Sequence, residues 1–237
     1  MTVAMFNREH HQKIHQVLQA LDARFLEQYH CYFGGGTAIV LRRGEYRESV
    51  DIDFLVSDIA AYRELRKQLQ DPQVLEHLFG IGRGPLIKLP EVRADQYGIR
   101  TRLPLANDGI KFEIVFEALI LFELPGPDDV VGGVSTLTEV DLAASKLLAN
   151  VDRWADAGVF SRDIIDLAML DLKKREWHMA LSKAEAAYGN AVVRDVHKAV
   201  ASLQNYPDRL SSCLAALAVD VPAALMLDRL KRLASRC

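Results

Sequence analysis

Long apolar runs are missing from this sequence. No stretch approaches the ~20 consecutive apolar residues that a helix needs to cross a bilayer, so no membrane-spanning helix is expected. Cysteine is scarce as well. Cys31, Cys213 and Cys237 are odd in number, far apart and without a Cys-x-x-Cys pair. That argues against a disulfide framework, and a reduced, cytoplasmic compartment is the simple reading. No charge sign dominates: the net charge is −3, so a nucleic-acid partner would have to be met by a local basic surface. Residues 1–15 show no signal-peptide core, because Arg8, Glu9, His10, His11, Gln12 and Lys13 interrupt it. There is no internal repeat and no low-complexity tract. With 50% hydrophobic and 26% charged residues over 237 positions, the chain has the composition of one large globular domain or two small ones.

The most informative stretch is 32–56. Gly34, Gly35, Gly36 and Thr37 open a short apolar helix, a basic turn with Arg42, Arg43 and Arg47 follows, and a strand from Val50 to Val56 carries Asp51 and Asp53. Strand alternation puts Val50, Ile52 and Phe54 on one face and both aspartates on the other. Their Cβ atoms are then roughly 7 Å apart, a spacing that lets two carboxylates converge on one metal ion or on a pair. Glycines let backbone approach phosphates, and a helix start offers unpaired N–H groups to an anion. Thr37 either caps that helix or touches a phosphate. Arg42 and Arg43 either reach a triphosphate or form a solvated turn.

Around this stretch the periodicities predict helices over 6–29, begun by Asn7, and over 57–79. Strands are expected at 31–33, paired with the aspartate strand, and at 86–89, 96–103 and 109–118. Asn107-Asp108-Gly109 signals a hairpin between the last two. His10, His11 and His15 read as solvated, since no carboxylate or cysteine completes a metal set. Gly80-Ile81-Gly82-Arg83-Gly84 lacks a strand–helix context and reads as a turn. Residues 125–133 read as a linker. Beyond them strand alternation stops, and helices are expected near 138–154, 161–174, 178–188, 191–205, 207–219 and 222–235, packed as a bundle.

Glycine cluster, helix and Asp-x-Asp strand, in that order, resemble the nucleotidyltransferase superfamily, and most closely its AbiEii/AbiGii-type toxin family. Gly35 to Ala38 match that family's opening, and Arg47, Ser49, Asp51, Ile52 and Asp53 match its Arg-x-Ser-x-Asp-Ile-Asp strand. Lys146 matches a helical lysine, and Arg162, Asp163 and Asp166 match a later segment. Arg153 aligns less closely with an intervening arginine. The resemblance implies an α+β fold: a nucleotidyltransferase-like mixed sheet with flanking helices over 1–133, then a C-terminal helical domain over 134–237. It implies transfer of a nucleoside monophosphate from an NTP, with Mg²⁺ (or Mn²⁺) on Asp51, Asp53 and a third acid. Glu113 is expected there, with Glu117 as its rival. Gly35, Gly36, Thr37, Arg47 and Ser49 would bind nucleotide. Lys146 would meet the triphosphate and Asp163 would join the catalytic set. The alternative for Lys146 and Arg162 is a salt-bridged seam with Asp163 and Asp166. The resemblance further implies a toxin with a cognate antitoxin and a tRNA acceptor. A tRNA acceptor requires Arg83, Lys88, Arg93, Arg100 and Arg102 on one surface. A cationic small-molecule acceptor would instead be met by Glu123, Asp128 and Asp129. A nucleotide-binding protein without catalysis is the third reading.

Overall fold

The computed structural model describes residues 6–105 and 109–237. The chain divides into a sheet unit, Met1–Leu41 with Ser49–Thr138, and a helical unit, Arg42–Glu48 with Glu139–Cys237. Residues 134–138, expected with the helices, therefore lie in the sheet unit, and the basic turn at 42–48 lies in the helical one. The first shift has a local cause. β6 (Val130–Val131) and β7 (Val134–Ser135) form a hairpin turned by Gly132 and Gly133 at positive φ, and Thr136 bridges to Phe33.

In the sheet unit α1 (Glu9–Ala20) and α2 (Ala23–Gln28) replace the single expected helix. The Asp22 carboxylate accepts from Phe25 N–H and starts a new helix after an extended Leu21. Then come β1 (Tyr32–Gly34), α3 (Gly35–Arg42) and β2 (Ile52–Val56). β1 pairs antiparallel with β2, as the sequence suggests. The helix expected over 57–79 is also two, α4 (Ile59–Gln68) and α5 (Pro72–Leu78). Pro72 cannot continue α4, and Asp71 caps α5. No strand forms at 86–89. β3 (Val92–Ala94) forms instead, followed by β4 (Gly98–Leu103) and β5 (Ile110–Phe116). β4 and β5 pair antiparallel, and the Asn107-Asp108 turn between them lies outside the described residues.

The sheet order is β1-β2-β5-β4-β3, with β2 and β5 parallel. Alternation buries one face, where Ile52, Phe54, Phe112 and Ile114 are at most 1% exposed. Phe33, Phe54, Phe112 and Phe79 form a chain of ring contacts, with centroids 5.6, 5.5 and 5.2 Å apart. The other face carries the polar residues considered below.

The helical unit contains α6 (Glu139–Arg153), α7 (Arg162–Leu170), α8 (Lys174–Tyr188), α9 (Ala191–Gln204), α10 (Pro207–Ala216) and α11 (Ala223–Ala234). Its core is made from their apolar stripes, with Leu147, Ile165, Trp177, Val196, Met226 and Leu230 buried. Among the described residues no helix is long and apolar enough to cross a membrane. Phe54 is the central ring of the sheet-unit core, so Phe54→Ala is expected to lower stability by about 3–5 kcal/mol, read as a reduced urea midpoint.

Candidate active site

Two clusters of polar side chains contain the residues singled out by sequence, one in each unit. In the sheet unit, cross-strand register sets up a straight row. Gly34 faces Asp53, Asp53 faces Glu113, Glu113 faces Arg100, and Arg100 faces Arg93. Paired residues share a face, so this row crosses all five strands on the side opposite the apolar core. One step along, Arg102 faces Lys111. Glu113 is thus the acid beside Asp53. Glu117 lies beyond the end of β5, where its carboxylate accepts from Leu119 N–H.

Glu113 is already engaged. It accepts from Arg100 Nε at 3.1 Å and from Lys111 Nζ at 2.6 Å. Burial pulls the Lys111 ammonium down, but the hydrogen bond and charge of Glu113, joined by the charges of Asp51 and Asp53, carry it above the ordinary lysine value. Both aspartates therefore act on the same local field as Glu113.

Asp53 also sits against the glycine turn. Gly35 has φ +66°, and a Cβ there would come 2.5 Å from Asp53 Oδ2. Only glycine fits both demands. The start of α3 and the Asp53 carboxylate are thereby brought together. Asp51 and Asp53 are each partly exposed. β2 begins at Ile52 rather than Val50, because Ile52 is the first residue to pair with β5 and residues 49–51 pair with neither neighbour. Val50 is 47% exposed in consequence.

Among the described residues no group of three or more Asp, Glu, His or Cys side chains converges as a ready-made metal cage. Two accessible carboxylates fit a hard cation of the magnesium type. Such an ion keeps several waters and is commonly held by one or two carboxylates plus substrate phosphates.

Thr37 and Ser49 point elsewhere than expected. The Thr37 hydroxyl is buried, donates to the Asp51 carbonyl at 2.5 Å and meets Ser49 Oγ at 2.7 Å. Both hydroxyls serve the backbone leading to Asp51. His11, read from sequence as solvated, is 0% exposed, and its Nε2 accepts from Ser49 N–H. Its place on the buried stripe of α1 beside Ile14 and Leu18 was the available signal.

The second cluster lies within the helical unit. Asp166 is 0% exposed. Arg47 grips it bidentately at 2.7 and 2.8 Å, Tyr46 donates at 2.6 Å, and Lys146 Nζ lies 2.7 Å away. Lys146 also donates to Asp163 at 2.8 Å, and Arg153 grips Asp163 at 2.7 and 2.9 Å. Burial alone would raise both carboxyls, but Lys146 with Arg47 for Asp166, and Lys146 with Arg153 for Asp163, hold them below the usual range. Burial and the Asp166 charge push the Tyr46 hydroxyl well up. Arg47, expected at the nucleotide, is 3% exposed and turns its third nitrogen to the Glu48 carbonyl. Arg43 pairs with Glu139 and donates to the Leu170 carbonyl, and Arg42 lies 3.7 Å from Glu139. The salt-bridged seam foreseen as the alternative is present for Lys146 with Asp163 and Asp166. Tyr46, missed in the sequence, is part of it.

A family model described as nucleotidyl transferase AbiEii toxin, type IV TA system, matches residues 16–224. The chain belongs to the AbiEii nucleotidyl transferase toxin family. This AbiEii-family chain also resembles two solved structures. JHP933 from Helicobacter pylori aligns with a TM-score of 0.55 at 14% identity, covering 98% of this chain and 94% of that one. A "putative nucleotidyltransferase from H. pylori" aligns with a TM-score of 0.52 at 14% identity, covering 96% and 94%. At that identity the likeness is one of fold, an α/β core with a mixed sheet and helices. No curated protein sequence matches.

The network of the AbiEii-family helical unit has a measurable consequence. Asp166→Ala strips Arg47, Tyr46 and Lys146 of a buried acceptor and is expected to destabilise by about 3–5 kcal/mol. Both aspartates have folded pKa values below the unfolded value of about 3.9. Their contribution is therefore complete above that pH and is lost as pH falls below it. Urea midpoints of the wild type should drop steeply below about pH 4, and Asp166→Asn should flatten that drop.

Proposed function

We propose that this chain transfers a nucleoside monophosphate from an NTP to a hydroxyl on a polynucleotide, tRNA being the acceptor implied by the family. The observation that carries the reading is the row across the sheet. It places the glycine turn, Asp53, Glu113 and a set of cations side by side. Asp51 and Asp53 would hold a divalent cation, Mg²⁺ or Mn²⁺. When bound, that ion supplies charge neutralisation and in-line alignment of the phosphoryl group. Gly35 and Gly36 would offer backbone N–H groups at the start of α3 to the β- and γ-phosphates. Glu113, adjacent to Asp53, would receive the proton of the attacking hydroxyl, its charge held in place by Arg100 and Lys111. Thr37 and Ser49 would act on nucleotide only indirectly, through the Asp51 backbone. Lys146, Arg47 and Asp163 enter this reading as the ion-pair network of the helical unit. Charge on the triphosphate is met by the metal and the glycine-turn amides.

The cations support a polynucleotide acceptor, with Arg93, Arg100 and Arg102 of the five expected residues standing on the sheet and Arg83 and Lys88 outside it. Arg93, Arg100, Arg102 and Lys111 share the face that carries Asp53 and Glu113. Arg100 and Lys111 are paired with Glu113, which leaves Arg93 and Arg102 as the side chains best placed to attract a phosphate backbone. Toxin activity and a cognate antitoxin are inferred from the family. The cytoplasm is inferred as the compartment, in keeping with three free cysteines.

Transfer of label from each α-labelled NTP to total RNA, to small molecules and to the protein itself tests the reading. Asp51→Ala or Asp53→Ala is expected to reduce transfer by about a hundredfold to a thousandfold with an unchanged far-ultraviolet circular dichroism spectrum. Full activity in either would remove the metal assignment. Arg93→Ala with Arg102→Ala should weaken RNA binding, lower its salt slope by about two and leave the KM for NTP unchanged.

A further inference from the structure

We propose that His11 is a positioning residue for the metal-binding aspartates, holding the backbone segment that leads into β2. The inference rests on the nucleotidyl-transfer reading above. Residues 49–51 lack ladder partners. The last β1–β2 pair is Gly34 with Asp53, and the first β2–β5 pair is Ile52 with Phe112. Their backbone groups must be satisfied by other means. Three side chains do this at three successive residues. Ser49 N–H donates to His11 Nε2 at 3.2 Å. The Val50 carbonyl accepts from His10 Nε2 at 3.0 Å. The Asp51 carbonyl accepts from Thr37 Oγ1 at 2.5 Å.

Thr37 is buried too, but of the two histidines only His11 is out of reach of solvent. It is 0% exposed, whereas His10 is part-exposed and its Val50 partner is at the surface. Its role is also chemically specific. The Ser49 N–H requires an acceptor at the position of Nε2. An aliphatic side chain of similar bulk fills the space but leaves the Ser49 N–H without an acceptor. A glutamine carbonyl can accept it. Asp51 is two residues downstream, and a shift of its backbone moves one of two carboxylates that must meet a metal at about 2.0–2.1 Å. Partners outside the ligand set that orient ligands typically change metal affinity by 10–100-fold.

The test is Mn²⁺ binding to the full chain, followed by electron paramagnetic resonance, for wild type, His11→Leu and His11→Gln. His11→Leu should bind Mn²⁺ about tenfold or more weakly, with cooperative unfolding retained. His11→Gln should recover most of the affinity, which a merely space-filling role would not require. Wild-type affinity in His11→Leu, or equal loss in both variants, overturns the inference while leaving the metal reading intact. Wild-type protein that binds no Mn²⁺ overturns the metal reading and this inference with it. If His11→Leu does not fold, hydrogen exchange at the Ser49 amide of the wild type decides. Slow exchange supports the inference, and exchange at the unprotected rate overturns it.

Discussion

The helical unit depends on one carboxylate. Asp166 is fully buried and is reached by a guanidinium, an ammonium and a phenol. Two of these, Arg47 and Tyr46, belong to the 42–48 segment, which is distant in sequence from the helices it joins. A buried charge set of this kind is weak evidence for net stability, since desolvation offsets most of the Coulomb gain. Its effect is better described as specificity. Planar, bidentate geometry between Arg47 and Asp166 admits one arrangement of the segment, where an apolar contact would admit several. Further backbone bonds complete the hold, from Glu48 N–H to the Leu217 carbonyl and from Asp220 N–H to the Tyr46 carbonyl. The chain leaves this clamp at Glu48 and reaches Asp51 three residues later.

In the sheet unit the governing constraint is register. A slip of one residue between β2 and β5 would send Glu113 to the core and Phe112 to the polar face. The buried phenylalanine series prevents that slip, so the apolar face fixes which acids stand together on the other. The same register brings Arg100 and Lys111 onto Glu113. Their two hydrogen bonds fix the direction of its carboxylate. Alternation also gathers Arg100, Arg102 and Lys111 of β4 and β5 on the face of Asp53 and Glu113, where Arg100 and Lys111 pair with Glu113.

Local patterns in the sequence carried much of this. Alternation over 50–56 and 110–117 places Asp53 and Glu113 opposite buried aromatics, since a pleated strand has only two faces. Gly35 next to a helix start marks a backbone that must come close to something, here the Asp53 carboxylate. The family model matches residues 16–224, a range that contains these motifs. Helix interruptions at Asp22 and Pro72 were also written locally, in capping and proline chemistry, and a strict reading of apolar period alone passes over them.

Tertiary structure decided the partners. Whether Thr37 turned to a phosphate or inward, whether Arg47 faced out or gripped Asp166, and whether His11 was wet or buried all depend on residues tens of positions away. A side chain's type fixes what it can bond, but its partner is chosen by which elements pack beside it, and desolvation sets how strongly the pair must form. The sequence by itself determined the periodicities, the glycine turn and the set of available acids and bases. Only the folded chain determined which of those groups face solvent at the row of Asp53, Glu113 and Arg100, and which are consumed in holding that row and the helical unit in place.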